Sequence, residues 1–197
     1  MRKQILNSTP LLAAIRYEAG FDINRTLRKV VVLLRKLGFE LGGVVQEVEA
    51  EGDPSCARLN IVDIRSNETA CITQERGKNS RGCKLDPRGL AEISHCIKDA
   101  IDARVDLVII NKFGRAESEH GGLLSCITDA VTAGIPVLTT VREPYLESWH
   151  SFHGGLAIEL SPSVNSILKW SWAARKLSMD PPTLIDGAPC SQKSQPS

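Results

Sequence analysis

Short apolar runs alternate with amphipathic helical patterns along most of this chain, and this alternation restricts its fold more than any other feature. The clearest run covers residues 105–110, where a single aspartate interrupts five aliphatic side chains. Such a run is typical of a strand buried within a sheet. Similar strand-like runs cover residues 11–15, 41–45, 58–64, 69–72, 137–141 and 155–160. Strands separated by helical patterns predict a three-layer α/β fold, with a mostly parallel sheet and helices on both faces.

The helical patterns supply the outer layers of this fold. Residues 23–37 place apolar side chains on one face, with Asp22 or Asn24 available as the N-cap and Gly38 as the residue that ends the helix. A second helix is predicted from Pro87, with Asp86 as its N-cap. Further helices are predicted at residues 122–132, in a short aromatic segment after Pro144, and at residues 163–177.

A length of 197 residues suits a single domain. We expect a flexible N-terminus at residues 1–10, one α/β domain at residues 11–178, and a disordered tail rich in proline and serine at residues 179–197. No apolar run approaches the roughly 18 residues that a membrane span needs. The sequence therefore predicts no membrane insertion.

Charge and cysteine usage narrow the classes of partner. The 24 basic and 23 acidic residues nearly cancel, which argues against general nucleic-acid binding because that requires a basic surplus. None of the six cysteines forms a C-x-x-C pair, and the first ten residues are too polar for a secretory signal. We expect a cytoplasmic protein with reduced thiols, and a homo-oligomer is left open.

Ligands of such sheets bind beyond the carboxyl ends of the strands, which directs attention to the loops that follow residues 15, 110 and 141. The first of these loops lies between a strand and a helix, as a phosphate-binding P-loop does. Aligning Arg25 and Thr26 with the Lys-Ser/Thr pair of that motif puts Ala19 and Asn24 where it requires glycines. Arg25 could meet an anion at the helix N-terminus, or it could simply face solvent.

The loop after residue 110 also departs from a hydrolase pattern. Asn111 and Lys112 stand where nucleotide hydrolases place an Asp that holds Mg²⁺ and a Glu that activates water. An amide is a poorer partner for magnesium, and an ammonium group is not a base at neutral pH. Lys112, Arg115 and the backbone of Gly114 remain able to recognise an anion or a polar ring. An ion-pair network of these cations with Glu117 and Glu119 is the alternative.

The polar segment at residues 73–86 is the strongest anion-binding candidate in the sequence. It carries four cations against two carboxylates. Glycines let backbone N–H groups converge, and arginine offers paired hydrogen bonds to oxyanions. The residues concerned are Arg76, Gly77, Lys78, Arg81 and Gly82. A solvated loop would have a similar composition, and Cys83 within it is either a reactive thiol or a packing residue.

Metal and nucleophile motifs are weak. His150 and His153 are spaced to share a helix face, but no third ligand accompanies them, so no metal site is predicted. The sequence contains no G-x-S-x-G motif. Trp149 and Phe152 are interpreted as core or lid residues.

Three segments resemble a known family. They are residues 111–117 (Asn-Lys-Phe-Gly-Arg-Ala-Glu), residues 81–87 (Arg-Gly-Cys-Lys-Leu-Asp-Pro) and residues 134–139 (Gly-Ile-Pro-Val-Leu-Thr). They look like an uncharacterised bacterial family, a domain of unknown function whose members are labelled nucleoside-triphosphatase-like or molybdenum ABC transporter ATP-binding proteins. The resemblance covers residues 11–160.

The same segments are distantly similar to the bacterial and archaeal nucleoside-triphosphatase family of P-loop kinase-like fold. In that family the stretch that matches residues 110–117 reads Asp-Glu-x-Gly-x-x-Glu. Gly114 and Glu117 match this pattern, whereas Asn111 and Lys112 replace its Asp and Glu. The resemblance implies a P-loop-NTPase-like fold, and the replacements indicate degenerate hydrolysis motifs.

These observations predict a protein that binds a nucleotide or a small oxyanion, with an accessory role in molybdate-related metabolism implied only by the family labels. The predicted ligand-binding residues are Arg25, Thr26, Arg76, Gly77, Lys78, Arg81, Gly82, Asn111, Lys112, Gly114 and Arg115. The alternative is an active nucleoside triphosphatase or nucleotide kinase-like enzyme with Glu117 as its catalytic base. A third interpretation is an interaction module that acts through the aromatic helix at residues 145–152.

Overall fold

A computed structural model describes residues 9–48, 59–71, 73–74, 84–85 and 87–179 of the chain. In chain order its elements are β1 (Leu12–Arg16), α1 (Ile23–Lys36), β2 (Leu41–Val48), β3 (Leu59–Asp63), β4 (Thr69–Cys71), β5 (Thr73–Gln74), β6 (Lys84–Leu85), α2 (Pro87–Asp102), β7 (Leu107–Ile110), α3 (Arg115–Ser118), α4 (Leu124–Thr132), β8 (Val137–Val141), α5 (Leu146–His153), β9 (Ala157–Leu160) and α6 (Val164–Met179). Among these residues, no helix has the length and apolar character needed to cross a membrane.

Seven strands form the main sheet in the order β4-β3-β2-β7-β8-β1-β9. The five strands β2, β7, β8, β1 and β9 run parallel, and β3 and β4 continue the sheet as antiparallel neighbours of β2. β5 and β6 pair with each other in a separate two-stranded sheet. The predicted mostly parallel α/β sheet is confirmed, as is the predicted pairing of the strands near residues 60 and 70.

Helices cover both faces of the sheet, because successive strand residues point to opposite sides. On one face, Leu27 of α1 and Trp170 of α6 pack with Ile15 of β1 and Ile109 of β7. On the other face, the buried side chains come from α2, α4 and α5, and they pack against strand residues that include Val108 and Ile110. The predicted three-layer arrangement is therefore confirmed.

Several predicted boundaries shift, and positive backbone dihedrals explain two of the shifts. The predicted helix at residues 122–132 begins at Leu124, since Gly122 has φ 61°. The predicted strand at 155–160 begins at Ala157, since Gly154 and Gly155 have φ 54° and 90°. The short helix α3 lies in a segment that the sequence pattern suggested was a loop. The predicted N-cap Asp86 lies outside the described residues.

Candidate functional site

A cleft opens at the carboxyl edge of the parallel strands, where the sequence pattern predicts a ligand site. The chain leaves β1 towards β2 and leaves β8 towards β9, in opposite directions across the sheet, and such a switch point creates a crevice. The cleft has a volume of about 270 Å³. Its lining residues are Tyr17, Ala19, Gly20, Phe21, Asp22, Ile23, Asn24, Gln46, Lys112 and Arg142. We call this space the carboxyl-edge cleft.

The N-terminus of α1 forms one wall of the carboxyl-edge cleft and is capped by the protein itself. Asp22 is the N-cap, and its carboxylate accepts a hydrogen bond of 2.9 Å from the backbone N–H of Arg25. Thr26 donates its hydroxyl to the Asp22 carbonyl oxygen at 3.5 Å. The Arg25 side chain is exposed, and neither Arg25 nor Thr26 is among the lining residues. A carboxylate therefore occupies part of the position that a P-loop offers to phosphate.

Asn111, the first residue after β7, joins three elements at the base of this wall. It is 3% exposed. Its amide nitrogen donates to Asn24 Oδ1 at 2.8 Å, and its amide oxygen accepts from the Thr140 hydroxyl at 2.7 Å. Both ends of the amide are thus used to connect the start of α1 with β7 and β8. An aspartate at this position would lack the donor that Asn24 requires.

Two cations, Lys112 and Arg142, face the same cleft. Desolvation lowers the pKa of Lys112 below its ordinary value of 10.5, and the positive charge of Arg142 lowers it further, whereas Glu117 acts in the opposite direction. The Lys112 side chain as a whole is nevertheless exposed, so solvent moderates this desolvation. Burial raises the pKa of Tyr17, and Arg142 opposes this through its charge and a hydrogen bond. An anion placed between the cations would relieve their repulsion.

Arg142 is the site residue that sequence reasoning missed. It follows β8 directly, so the loop that carries it was expected at the ligand-binding edge. Its proximity to Lys112 depends on β7 and β8 being neighbours in the sheet. A cation placed directly after a strand-like run was the available signal.

Glu117 is buried, with 8% of its surface exposed, and it holds the segment from Gly114 to Leu123. One carboxylate oxygen accepts from the Gly114 N–H and the other from the Leu123 N–H, both at 3.0 Å. A side chain at Gly122 would overlap this carboxylate. Glu117 does not line the carboxyl-edge cleft. It lines a second cavity of about 360 Å³, together with residues that include His120 and Phe152.

The two remaining predicted residues near α3, Gly114 and Arg115, differ in their burial. Gly114 is buried beside the Lys112 side chain, consistent with close backbone packing. Arg115 is exposed, and its Nε donates to Glu119 at 2.8 Å, which raises the pKa of Arg115. Arg115 does not line the carboxyl-edge cleft. For this residue, the structure shows the ion pair that the sequence left as the alternative.

Other candidates fall elsewhere or outside the structure. The predicted residues Arg76, Gly77, Lys78, Arg81 and Gly82, with Cys83, lie outside the described residues. His150 contacts Glu159 at 2.5 Å, but the part of the chain that the structure describes holds no group of three His, Cys, Asp or Glu residues suited to a metal. Trp149 is fully buried and packs edge-to-face on Phe113, so it is a core residue.

Comparisons with known proteins give one family, one curated relative and one solved structure of similar fold. A family described as "Protein of unknown function (DUF2478)" matches residues 12–170. The Molybdenum import ATP-binding protein ModC 2 of Bradyrhizobium diazoefficiens is 35% identical over 159 residues, which are 81% of this chain and 18% of that protein. This chain therefore spans less than a fifth of that relative. A solved structure, described as a human cancer-related nucleoside triphosphatase, superposes with a TM-score of 0.54 and 12% identity, covering 88% of this chain and 95% of the other.

Proposed function

We propose that this chain, which belongs to the DUF2478 family and has a nucleoside-triphosphatase-like fold, binds a nucleotide or a small oxyanion in its carboxyl-edge cleft. The observation that carries the proposal is the pair of cations, Lys112 and Arg142, placed together at the switch point of the sheet. Desolvation and the positive charge of Arg142 both lower the pKa of Lys112, and an anion bound between the two cations would reduce their repulsion.

The proposal does not include hydrolysis by the usual P-loop route. Asn111 has both ends of its amide bonded to protein partners, and so it is not available as the metal-holding group of a hydrolase. Lys112 stands where the activating carboxylate would be. These two features support a binding role for a fold whose relatives include a nucleoside triphosphatase.

Two further parts of the proposal come from outside the described residues and from a relative's name. We include Arg76, Lys78 and Arg81, with Gly77 and Gly82, as additional anion-binding residues, because the segment that contains them is rich in cations and glycine. The relative ModC 2 is named as a molybdenum import protein, which suggests molybdate as the oxyanion to test first. A cytoplasmic setting is part of the same proposal.

A thermal-shift screen followed by calorimetry tests the binding function. Wild-type protein is titrated with molybdate, tungstate, sulfate, phosphate and nucleotides, alongside the variants Lys112→Met and Arg142→Met. Each variant should lose about tenfold or more in affinity, since a hydrogen bond to a charged group contributes about 1.5–3 kcal/mol. Lys29→Met, which removes an exposed lysine of α1 away from the cleft, is the matched control and should bind normally. If none of the tested anions binds to the wild-type protein, the proposal is refuted.

The alternative of an active nucleoside triphosphatase or nucleotide kinase-like enzyme has one observation in its favour. Each oxygen of the buried Glu117 carboxylate accepts one backbone hydrogen bond and retains a further lone pair, and Glu117 lines the second cavity. This alternative predicts Mg²⁺-dependent phosphate release that Glu117→Gln abolishes while the variant remains folded. Turnover with that dependence would replace the binding-only proposal, and an inactive wild type would remove the alternative.

A further inference from the structure

We propose that Asp22 is a specificity-determining residue, whose carboxylate restricts the carboxyl-edge cleft to compact oxyanions and excludes the phosphate chain of a nucleotide. This inference rests on the proposed function, since it concerns the ligand class of the same cleft. Its basis is the position of Asp22, which both lines the cleft and caps the helix that would otherwise attract phosphate.

The helix N-terminus is where a P-loop protein binds its phosphates, through free backbone N–H groups and the positive end of the helix dipole. In this chain the Asp22 carboxylate takes the N–H of Arg25 at 2.9 Å. A phosphate chain lying along residues 19–24 would have to displace this bond and would also approach a fixed negative charge. Both effects oppose nucleotide binding, and the charge repulsion grows with the number of phosphates that reach the helix.

The size and charge of the cleft favour a compact ligand for independent reasons. Its volume of about 270 Å³ falls just below the range of about 300–1,000 Å³ that is usual for ligand pockets. Its described lining contributes two cations, Lys112 and Arg142, against the single carboxylate of Asp22. That balance suits an anion of low charge placed between the cations. Among the described lining residues, the surplus is too small to neutralise a polyphosphate.

Magnesium would not correct this balance by the usual route. A polyphosphate commonly enters such sites with Mg²⁺, which the protein holds in part through an aspartate at the end of a strand. Here that position is Asn111, whose amide is committed to Asn24 and Thr140. A compact oxyanion needs no metal, because an arginine such as Arg142 can donate two parallel hydrogen bonds to it.

Calorimetry with two groups of probes tests the inference. The compact probes are molybdate, sulfate and inorganic phosphate, and the extended probes are ADP and ATP, each with and without Mg²⁺. Wild-type protein should bind at least one compact probe more tightly than ATP. Asp22→Asn preserves the cap but removes the charge, and it should raise ATP affinity about tenfold while changing compact-probe affinity less than about threefold. Asp22→Ser, a second uncharged cap, should behave in the same way.

The matched control is Glu18→Gln, which removes one negative charge from the same loop at a residue that does not line the cleft. It should change ATP affinity less than about threefold, because solvent and salt screen an exposed charge at a distance. Equal gains from Glu18→Gln and Asp22→Asn, or a wild type that prefers ATP to every compact probe, would overturn the inference and leave the cleft as an anion site. If no probe binds wild-type protein, or if Lys112→Met leaves binding unchanged, the proposed function fails and this inference fails with it.

Discussion

Two carboxylates follow parallel strands of this sheet, and each accepts hydrogen bonds from the backbone near the start of a helix. Asp22 lies after β1, is exposed, and accepts from one N–H group three residues ahead. Glu117 lies after β7, is 8% exposed, and accepts from Gly114 on one side and Leu123 on the other. The first carboxylate completes a helix end, whereas the second closes a ten-residue loop upon itself.

The difference in burial decides whether another acceptor can replace each carboxylate when its side chain is removed. Water can take the place of an exposed cap, so removing the side chain costs only about 1 kcal/mol. A buried cap is harder to replace, because removing it takes the protein acceptor away from the amide groups of Gly114 and Leu123, whose hydrogen bonds to Glu117 are buried. Under the proposed function, the loop after β1 is therefore where ligand specificity would change, whereas the Glu117 hydrogen bonds fix the segment that follows Lys112.

Replacing Glu117 by alanine should give the largest effect. We expect a loss of about 3 kcal/mol in the free energy of unfolding, because two hydrogen bonds to a buried charge disappear together. Urea denaturation followed by circular dichroism measures it. Glu119→Ala removes an exposed carboxylate two residues later and should leave the unfolding midpoint nearly unchanged. Equal losses in the two variants would show that the Glu117 hydrogen bonds do not fix this segment.

Gly122→Ala should destabilise the same segment, Gly114 to Leu123, at its carboxyl end. Gly122 has φ 61°, and an added Cβ would overlap the Glu117 carboxylate, so strain and displacement act together. We expect a loss of about 2 kcal/mol in the same denaturation measurement. Gly121→Ala is the neighbouring control, since its Cβ would lie 3.4 Å from the Ala116 carbonyl oxygen at a backbone conformation that alanine accepts. A Gly122 variant as stable as the control would mean that the carboxylate has room to move.

The contrast between these two loops also shows how far sequence reasoning reaches. The buried run at residues 105–110 and the periodic residues of α1 depend on local pattern, and both elements were predicted correctly. The sequence offers Asp22 and Asn24 as candidate N-caps for the same reason, since a cap acts within three residues, and the structure shows that Asp22 is the cap. The alternation of strands and helices also predicts that the loops at Ala19, Arg81 and Lys112 converge. Ala19 and Lys112 do line one cleft, and Arg81 lies outside the described residues.

What was missed depends on contacts between segments that are distant in sequence. Lys112 and Arg142 are thirty positions apart, and only the adjacency of β7 and β8 brings them together. The bond of Asn111 to Asn24 spans 87 positions and likewise requires the tertiary fold. Arg115 was expected at the ligand site by its sequence position, but the first turn of α3 directs it towards Glu119 in solvent. Strand order and side-chain direction decided these cases, and neither follows from periodicity.

Asp22→Ala tests how much the exposed cap of α1 contributes to stability. Loss of the side-chain cap should lower the free energy of unfolding by about 1 kcal/mol, whereas Asp22→Asn should change it by only a few tenths of a kcal/mol, because asparagine caps as well as aspartate. The measurement is the same urea titration. If alanine and asparagine were equally tolerated, the bond to Arg25 would contribute nothing to the folded state and the helix end would be open to a ligand without competition.

The smallest expected effect is on the pKa of Lys112, which Glu117 and Asp22 should influence to different extents. Glu117 raises the pKa of Lys112 against the desolvation and the Arg142 charge that lower it, so Glu117→Gln should lower that pKa further. Asp22→Asn should leave it close to the wild-type value, since Asp22 is not among the groups that shift it.

A lysine pKa that is lower in the folded state means that the unfolded chain binds more protons between that pKa and 10.5, so stability rises with pH over this window. Glu117→Gln should widen the window and Lys112→Met should remove it. NMR titration of the lysine side-chain carbons measures the pKa directly, and a larger response to Asp22→Asn than to Glu117→Gln would reverse the roles assigned to the two carboxylates.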